Sequence, residues 1–326
     1  MNLSNSKIQD IRMYLKPIIK KEKRCKDVEA RRFYEVMSIS KSVVGLVFLD
    51  LNINLLQPLF KNIPDISLLD ALCHFTGVND SAFDFFEFMK KVINGDKDID
   101  NYAKIKFQSN IGTSDKKIFT YNNLAYRILT GILQQTYPGY LNKWTSKQLG
   151  QSEEANWGVS EDQERKGCDV NNVPNGLNGL RLTMTAALKL VKCANTILRL
   201  KAPYESITVY SPILENSGDG WARGKLDVGF EIYCYCNWYM VVKNKKIIGA
   251  YGIGFSRQYM CLNFTTNQFA IQFRIPFWDE SKDDEASAFV KNFFECPEVL
   301  YCNIYFDYAT GTKVTRITKT GAISEL

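Results

Sequence analysis

Residues 37–48 read MSISKSVVGLVF, and within them Ser38-Ile39-Ser40-Lys41 stands where an apolar-periodic run begins. If that run is an amphipathic helix, Ser38 and Lys41 at i and i+3 share one face, and the amine can reach the hydroxyl. A serine hydroxyl is a poor nucleophile until a neighbouring base takes its proton. A helix start adds backbone N–H donors and a positive dipole end, which suit a developing oxyanion. The S-x-x-K string by itself is weak, since LSNSK at 3–7 and TSDKK at 113–117 arise as cheaply. On this motif alone the plainer reading of Ser38 is a helix N-cap.

A second motif changes the balance. Tyr121-Asn122-Asn123 lies between the polar stretch QSNIGTSDKKIFT and the helical pattern LAYRILTGILQQ. At a loop-to-helix junction a phenol can relay a proton, and an amide can hold a substrate carbonyl or the lysine. The plainer reading is a tyrosine packed on the core beside an Asn N-cap.

Composition bounds the rest. The chain has 326 residues, 45% hydrophobic, 13% aromatic and 23% charged, with a net charge of +6. That apolar content excludes general disorder. The apolar run Val43 to Leu49 is too short to span a bilayer, and MNLSNSKIQDIRMYL lacks the layout of a signal peptide. Nine scattered cysteines without a C-x-x-C pair point to reduced thiols and a cytoplasmic location. On a strand, Cys234 and Cys236 would share one face. The single histidine, His74, has no ligand-spaced partner, so no metal is expected. Residues 1–37 carry ten Lys/Arg against five Asp/Glu. The spacing Ile11, Leu15, Ile18, Ile19 makes this the solvated basic face of an amphipathic helix, and nucleic acid is not an expected partner.

Helical periodicity dominates from Ser38 to about Leu200, in SISKSVVGLVFLD, ISLLDALCHF, NNLAYRILTGILQQTY, YLNKWTSKQL and MTAALKLVKCANTILRL. NGDKDIDNYAKIKFQSNIGTSDKK and SEEANWGVSEDQERKGCDVNNVPNGLNG read as loops. Beyond about Tyr204 the runs EIYCYCNWYMVV, KIIGAYGIG, QYMCLNF, QFAIQFRI, EVLYCNIYFDY and KVTRITK read as strands, interrupted by one helix, EASAFVKNFFEC. Helices followed by strands imply an α+β architecture with antiparallel strands. Trp157, Tyr235, Trp238 and Tyr251 either line an aromatic pocket or pack in the core, with core packing favoured for each.

MSISKSVVGLVF resembles the nucleophile helix of serine β-lactamases and penicillin-binding proteins, in the class C and esterase-like branch. ISLLDALCHFTGV, TYNNLAYRILTGIL, GYLNKWTSKQLGQSEEANW and GLNGLRLTMTAALKL resemble later segments of that superfamily, in order. YCYCNWYMVV and GAYGIGFSRQYMCLNF are most similar to 6-aminohexanoate-dimer hydrolase-type enzymes. The resemblance demotes His74 to a structural position. Most members carry Lys or His, then Ser or Thr, then Gly, on the strand lining the site. The counterpart here is Gly252-Ile253-Gly254, which offers backbone donors but no base; Lys319-Thr320-Gly321 reads as a chance match at a strand end. Only 37 residues precede Ser38, where the superfamily usually places a helix and two strands. The C-terminal pair of strands is therefore expected to fill sheet positions left open by that short N-terminus.

The resemblance implies one β-lactamase-like domain over 1–326, with a helical subdomain at about 50–205 and a sheet subdomain of about 1–49 plus 206–326. It implies a serine hydrolase acting on a small-molecule amide or ester, without cofactor or membrane span. Ser38 would be the nucleophile, Lys41 the base and Tyr121 the proton relay. Asn123 would orient the substrate, and the backbone of Ser38, Gly252 and Gly254 would hold the oxyanion. The alternative is a catalytically silent binding module on the same fold.

Overall fold

The computed structural model describes residues 33–78, 91, 98–112, 115, 118–157, 174–273 (except 216, 218, 228, 256 and 257) and 289–295 (except 292). Within 299–325 it describes five short strands. The basic segment 1–32 and the Lys319-Thr320-Gly321 string lie outside the described residues.

The chain enters through β1 (Tyr34–Glu35) and turns at once into α1 (Ile39–Asp50). Helix α1 is not amphipathic. Every residue from Ile39 to Leu49 is buried, because its apolar side chains run all round the cylinder and the polar ones find partners inside. A hairpin, β2 (Pro58–Phe60) and β3 (Ile63–Ser67), leads to α2 (Leu68–Cys73). Ser67 and Asp70 close a reciprocal capping box at its start. Helix α3 (Ile99–Ser109) runs through a stretch whose composition reads as loop. Among its described side chains only Ala103 and Phe107, one turn apart, are fully buried, and Ile105 is exposed; so narrow an apolar stripe is masked by its charged neighbours. Then come α4 (Asn123–Thr136), α5 (Tyr140–Gln148), β4 (Ala155–Trp157), β5 (Leu180–Leu182) and α6 (Met184–Lys201), followed by the short α7 (Tyr204–Ile207). Five helices thus fall where periodicity predicts them.

A five-stranded antiparallel sheet follows: β6 (Glu231–Tyr235), β7 (Trp238–Lys243), β8 (Lys246–Gly254), β9 (Gln258–Asn263) and β10 (Gln268–Gln272), in the order β10-β9-β8-β7-β6. The run EIYCYCNWYMVV is therefore two strands, not one. Tyr235 pairs with Trp238, and the two-residue turn between them has Cys236 at φ 52° and Asn237 at φ 58°. Cys236 consequently lies in a turn and does not share a strand face with Cys234. Alternation along β8 divides the two faces of the sheet. Gly252 and Gly254 face α1 and the segment before it, while Gly249 and Tyr251 face the helical residues 289–295 through Phe294.

Further strands, β11 (Val299–Leu300), β12 (Phe306–Tyr308), β13 (Gly311–Lys313), β14 (Thr315–Thr318) and β15 (Ile323–Glu325), pair among the described residues only with one another. Tyr308 lies opposite Gly311 and Val299 opposite Thr318. The expectation that these strands extend the main sheet is corrected: among the described residues that sheet ends at β10, and the ladder of β11 runs to β14. Near the N-terminus, β1 instead joins β5 and β4 in a separate three-stranded sheet.

Candidate active site

Local backbone geometry decides what Ser38 does. Met37, just before it, is held at φ 49°, a left-handed conformation that non-glycine residues seldom adopt. Ser38 itself is already helical, and its side chain makes no capping hydrogen bond. The first-turn amides of Ile39, Ser40 and Lys41 are served by the carbonyls of Val36, Met37 and Ser38 at 2.9–3.1 Å. The N-cap reading is thereby corrected, and the Ser38 hydroxyl is left for other partners. Among the described residues nothing accepts from the Ser38 backbone N–H.

Two partners converge on that hydroxyl. Lys41 Nζ lies 3.0 Å from Ser38 Oγ and donates to the Leu177 carbonyl at 2.9 Å. The Tyr121 hydroxyl donates to Ser38 Oγ at 2.7 Å. Lys41 is 1% exposed, its amine 5.1 Å from the centroid of the Tyr121 ring. Ser38 is only half-buried, so the cluster is closed behind the lysine and accessible at the serine.

A polar scaffold lies behind this cluster. Asn122 caps α4: its Oδ1 accepts the Ala125 N–H and its Nδ2 donates to the Val78 carbonyl. The backbone N–H of Asn122 donates to Nδ1 of His74 at 2.9 Å, which leaves Nε2 to carry the ring proton and donate to Asn237 Oδ1 at 2.8 Å. Asn237 Nδ2 donates to Ser42 Oγ at 2.9 Å and to the Ser38 carbonyl at 3.4 Å, and Ser42 returns a bond to the Asn237 carbonyl. One chain of hydrogen bonds therefore ties the Tyr121 loop, through the β6–β7 turn, to the first turn of α1. Burial pushes His74 down to about 3, against its hydrogen bond to Asn237, and the Lys41 charge pushes the same way as burial. Its ring also lies 4.7 Å from that of Tyr121. His74 is thus a neutral strut.

Close backbone approach fixes the turn under the helix. A Cβ on Gly45 would sit 2.2 Å from the Cys236 carbonyl oxygen, so only glycine lets α1 rest on the turn. Gly252 and Gly254 serve similar ends. A Cβ on Gly254 would meet the Val36 carbonyl at 2.3 Å, and one on Gly252 would meet Ser42 Oγ at 3.3 Å. Both glycines bring β8 against the nucleophile segment. Beyond Tyr251 the β7 ladder stops while β9 pairing continues to Gly254.

The other sequence candidates divide. Asn123 is half-buried in the first turn of α4, one residue beyond the Asn that caps it. Trp238, Tyr251 and Tyr235 are core residues, and half-buried Trp157 donates to Thr145 Oγ1. Sequence reading misses Asp219, Trp221 and Asn237. Asp219 Oδ2 accepts the Tyr121 backbone N–H at 2.9 Å, and the Trp221 ring meets that of Tyr121 edge-on at 5.2 Å. Only Asn237 carries a sequence signal, as an Asn between two alternating aromatic runs. Among the described residues no His/Cys/Asp/Glu group could hold a metal, and no helix is long and apolar enough to cross a membrane. Burial raises the thiols of Cys234, Cys236 and Cys261 well above their usual range, so all three stay protonated.

Comparison with known proteins gives the fold. No family model matches the chain, and no curated protein matches it. Among solved structures it is similar to a candidate β-lactamase from Bacteroides dorei, with 12% identity, 77% of this chain and 80% of the other covered, and a TM-score of 0.54. It is also similar to simvastatin synthase LovD of Aspergillus terreus. The LovD9 mutant gives 11% identity, coverage of 82% and 84%, and a TM-score of 0.52; an unliganded form gives 10%, 86% and 84%, and 0.50.

Proposed function

We propose that this chain, which has the β-lactamase-like fold, is a serine acyl-transfer enzyme that hydrolyses an amide or ester through an acyl-enzyme on Ser38. The observation that carries the reading is the convergence of Lys41 Nζ and the Tyr121 hydroxyl on Ser38 Oγ at 3.0 and 2.7 Å. Lys41, as the free amine, takes the Ser38 proton while Oγ forms a bond to the substrate carbonyl carbon. The carbonyl π pair moves to oxygen, where the Ser38 N–H and the backbone of Gly252–Gly254 would receive it. As the intermediate collapses, Tyr121 passes a proton to the leaving oxygen or nitrogen and is resupplied by the Lys41 ammonium. Water then attacks the acyl-enzyme by the reverse proton route and releases the acid. Asn123 would orient the substrate carbonyl at the mouth.

A binding-only role is the second reading, and it rests on the lack of a basic side chain at Gly252-Ile253-Gly254. The test is hydrolysis of a panel of small esters and amides by the wild type and by Ser38→Ala. Turnover by the wild type that the alanine variant abolishes supports the enzyme. Equal rates for the two proteins, at or above background, overturn it.

A further inference from the structure

Large apolar side chains on a protein surface are common singly, but one pinned beside reactive hydroxyls is not accounted for by packing. Trp221 is 49% exposed, although it sits on a 3₁₀ turn (Gly220–Arg223) anchored at several points. Its Nε1 donates to Asp219 Oδ1 at 3.1 Å, while Oδ2 of the same carboxylate accepts the Tyr121 N–H. The next residue, Ala222, is fully buried and its carbonyl accepts the Tyr251 hydroxyl at 2.6 Å. Arg223 donates to the Ile213 and Phe230 carbonyls. Behind the turn, a Cβ on Gly220 would strike the Glu215 carbonyl at 2.2 Å. The indole is therefore exposed by a rigid mount. Its inner edge rests on Tyr121, whose hydroxyl reaches Ser38, and on Tyr239 at 6.3 Å. A second exposed aromatic, Phe255, follows Gly254, the residue that touches the Val36 carbonyl two positions before Ser38.

We infer that Trp221 is the substrate-binding wall of this site and selects esters or amides that carry an apolar aliphatic or aromatic group beside the scissile bond. The inference rests on the acyl-transfer reading for what is bound, and on the mounted indole for its chemistry. Burying such a group against an indole face removes apolar surface from water and adds dispersion contacts with little loss of side-chain entropy. Each well-placed methylene is worth about 10-fold or somewhat more in selectivity. Asp219 is a positioning residue, since it sets the indole and the phenol together.

The experiment compares wild type, Trp221→Ala and Trp221→Phe on two ester series, one varying the acyl chain from acetyl to hexanoyl and phenylacetyl, the other varying the alcohol on a fixed acetyl. Binding of the same esters to Ser38→Ala and to Ser38→Ala/Trp221→Ala is measured by calorimetry. The expected result is a rise in kcat/KM with apolar size in at least one series. Trp221→Ala should lower the large esters about 10- to 100-fold and the smallest less than about 3-fold, with Trp221→Phe restoring most of the preference. Hydrolysis with the size preference unchanged by Trp221→Ala, or with all esters lowered alike, overturns the inference and leaves the acyl-transfer reading standing. Trp221-dependent binding without hydrolysis overturns the acyl-transfer reading and upholds the apolar wall. Neither binding nor hydrolysis overturns both.

Discussion

Tyr121 and Ser38 meet hydroxyl to hydroxyl at 2.7 Å across 83 residues of chain, and Lys41 reaches the same serine oxygen from one helical turn away. Both donors are carried by elements locked to the same buried scaffold, so removing one group should cost chemistry rather than fold. Tyr121→Phe is expected to lower kcat about 100- to 10,000-fold, with KM changed far less, because the phenol acts on the proton and not on ground-state binding. Steady-state kinetics on any ester the wild type turns over checks this; a proportionate rise in KM at unchanged kcat would assign the phenol to binding instead.

Gly45 and Cys236 supply a stability prediction. The Cβ added by Gly45→Ala meets a backbone carbonyl that cannot rotate away, whereas the one added by Gly252→Ala meets the Ser42 hydroxyl at a looser 3.3 Å. Gly45→Ala should destabilise by about 1–3 kcal/mol or more and Gly252→Ala by less. Urea denaturation of both variants orders them; the reverse order would mean that α1 does not rest on the β6–β7 turn.

The sole histidine gives a pH prediction. His74 is held near 3 in the folded chain against 6.5 as its ordinary value. Between these values the unfolded chain binds the extra proton, so stability is fully present above pH 6.5 and is lost as pH falls below it. The slope approaches about 1.4 kcal/mol per pH unit. Denaturation midpoints between pH 7 and 5, where carboxylates contribute little, should fall in the wild type and hold nearly flat in His74→Gln. Parallel curves for the two proteins would remove the strut from the account.

Asn237 joins a turn conformation to a hydrogen-bond hub, and two substitutions separate these roles. Asn237→Gly keeps a residue suited to φ 58° and loses only the amide, at a cost of about 1–3 kcal/mol for the buried groups it strands. Asn237→Ala adds about 1–2 kcal/mol of left-handed strain. Thermal or urea unfolding of the pair should place alanine below glycine; equal stabilities would show that the turn relaxes.

The parts of this molecule legible in its sequence are those written in local pattern. Five helices appear in their periodicity, and Ser38, Lys41 and Tyr121 appear as motifs whose spacing on a helix, or at its start, has a chemical use. The misses have physical causes. The β6–β7 turn hides inside an unbroken aromatic run because its turn residues are Cys and Asn, with no Gly to mark it. Helix α3 hides because its buried Ala103 and Phe107 stand among charged neighbours. His74, Asn122 and Asn237 form a network only across long separations, 163 residues between His74 and Asn237, and no local signal can pair them. The glycines of β8 are readable as special positions, but their reason, room for α1 and the Val36 carbonyl, exists only in three dimensions.

The central claim is that Ser38 is an activated nucleophile. The most direct measurement treats the folded protein with a fluorophosphonate, whose phosphorus takes the serine oxygen as fluoride leaves, and maps the adduct by peptide mass spectrometry. The account predicts a stoichiometric adduct on the peptide containing Ser38, strongly slowed in Lys41→Ala and absent from Ser38→Ala. Folded protein that stays unlabelled at Ser38, or that labels there no faster than urea-unfolded chain, would contradict it.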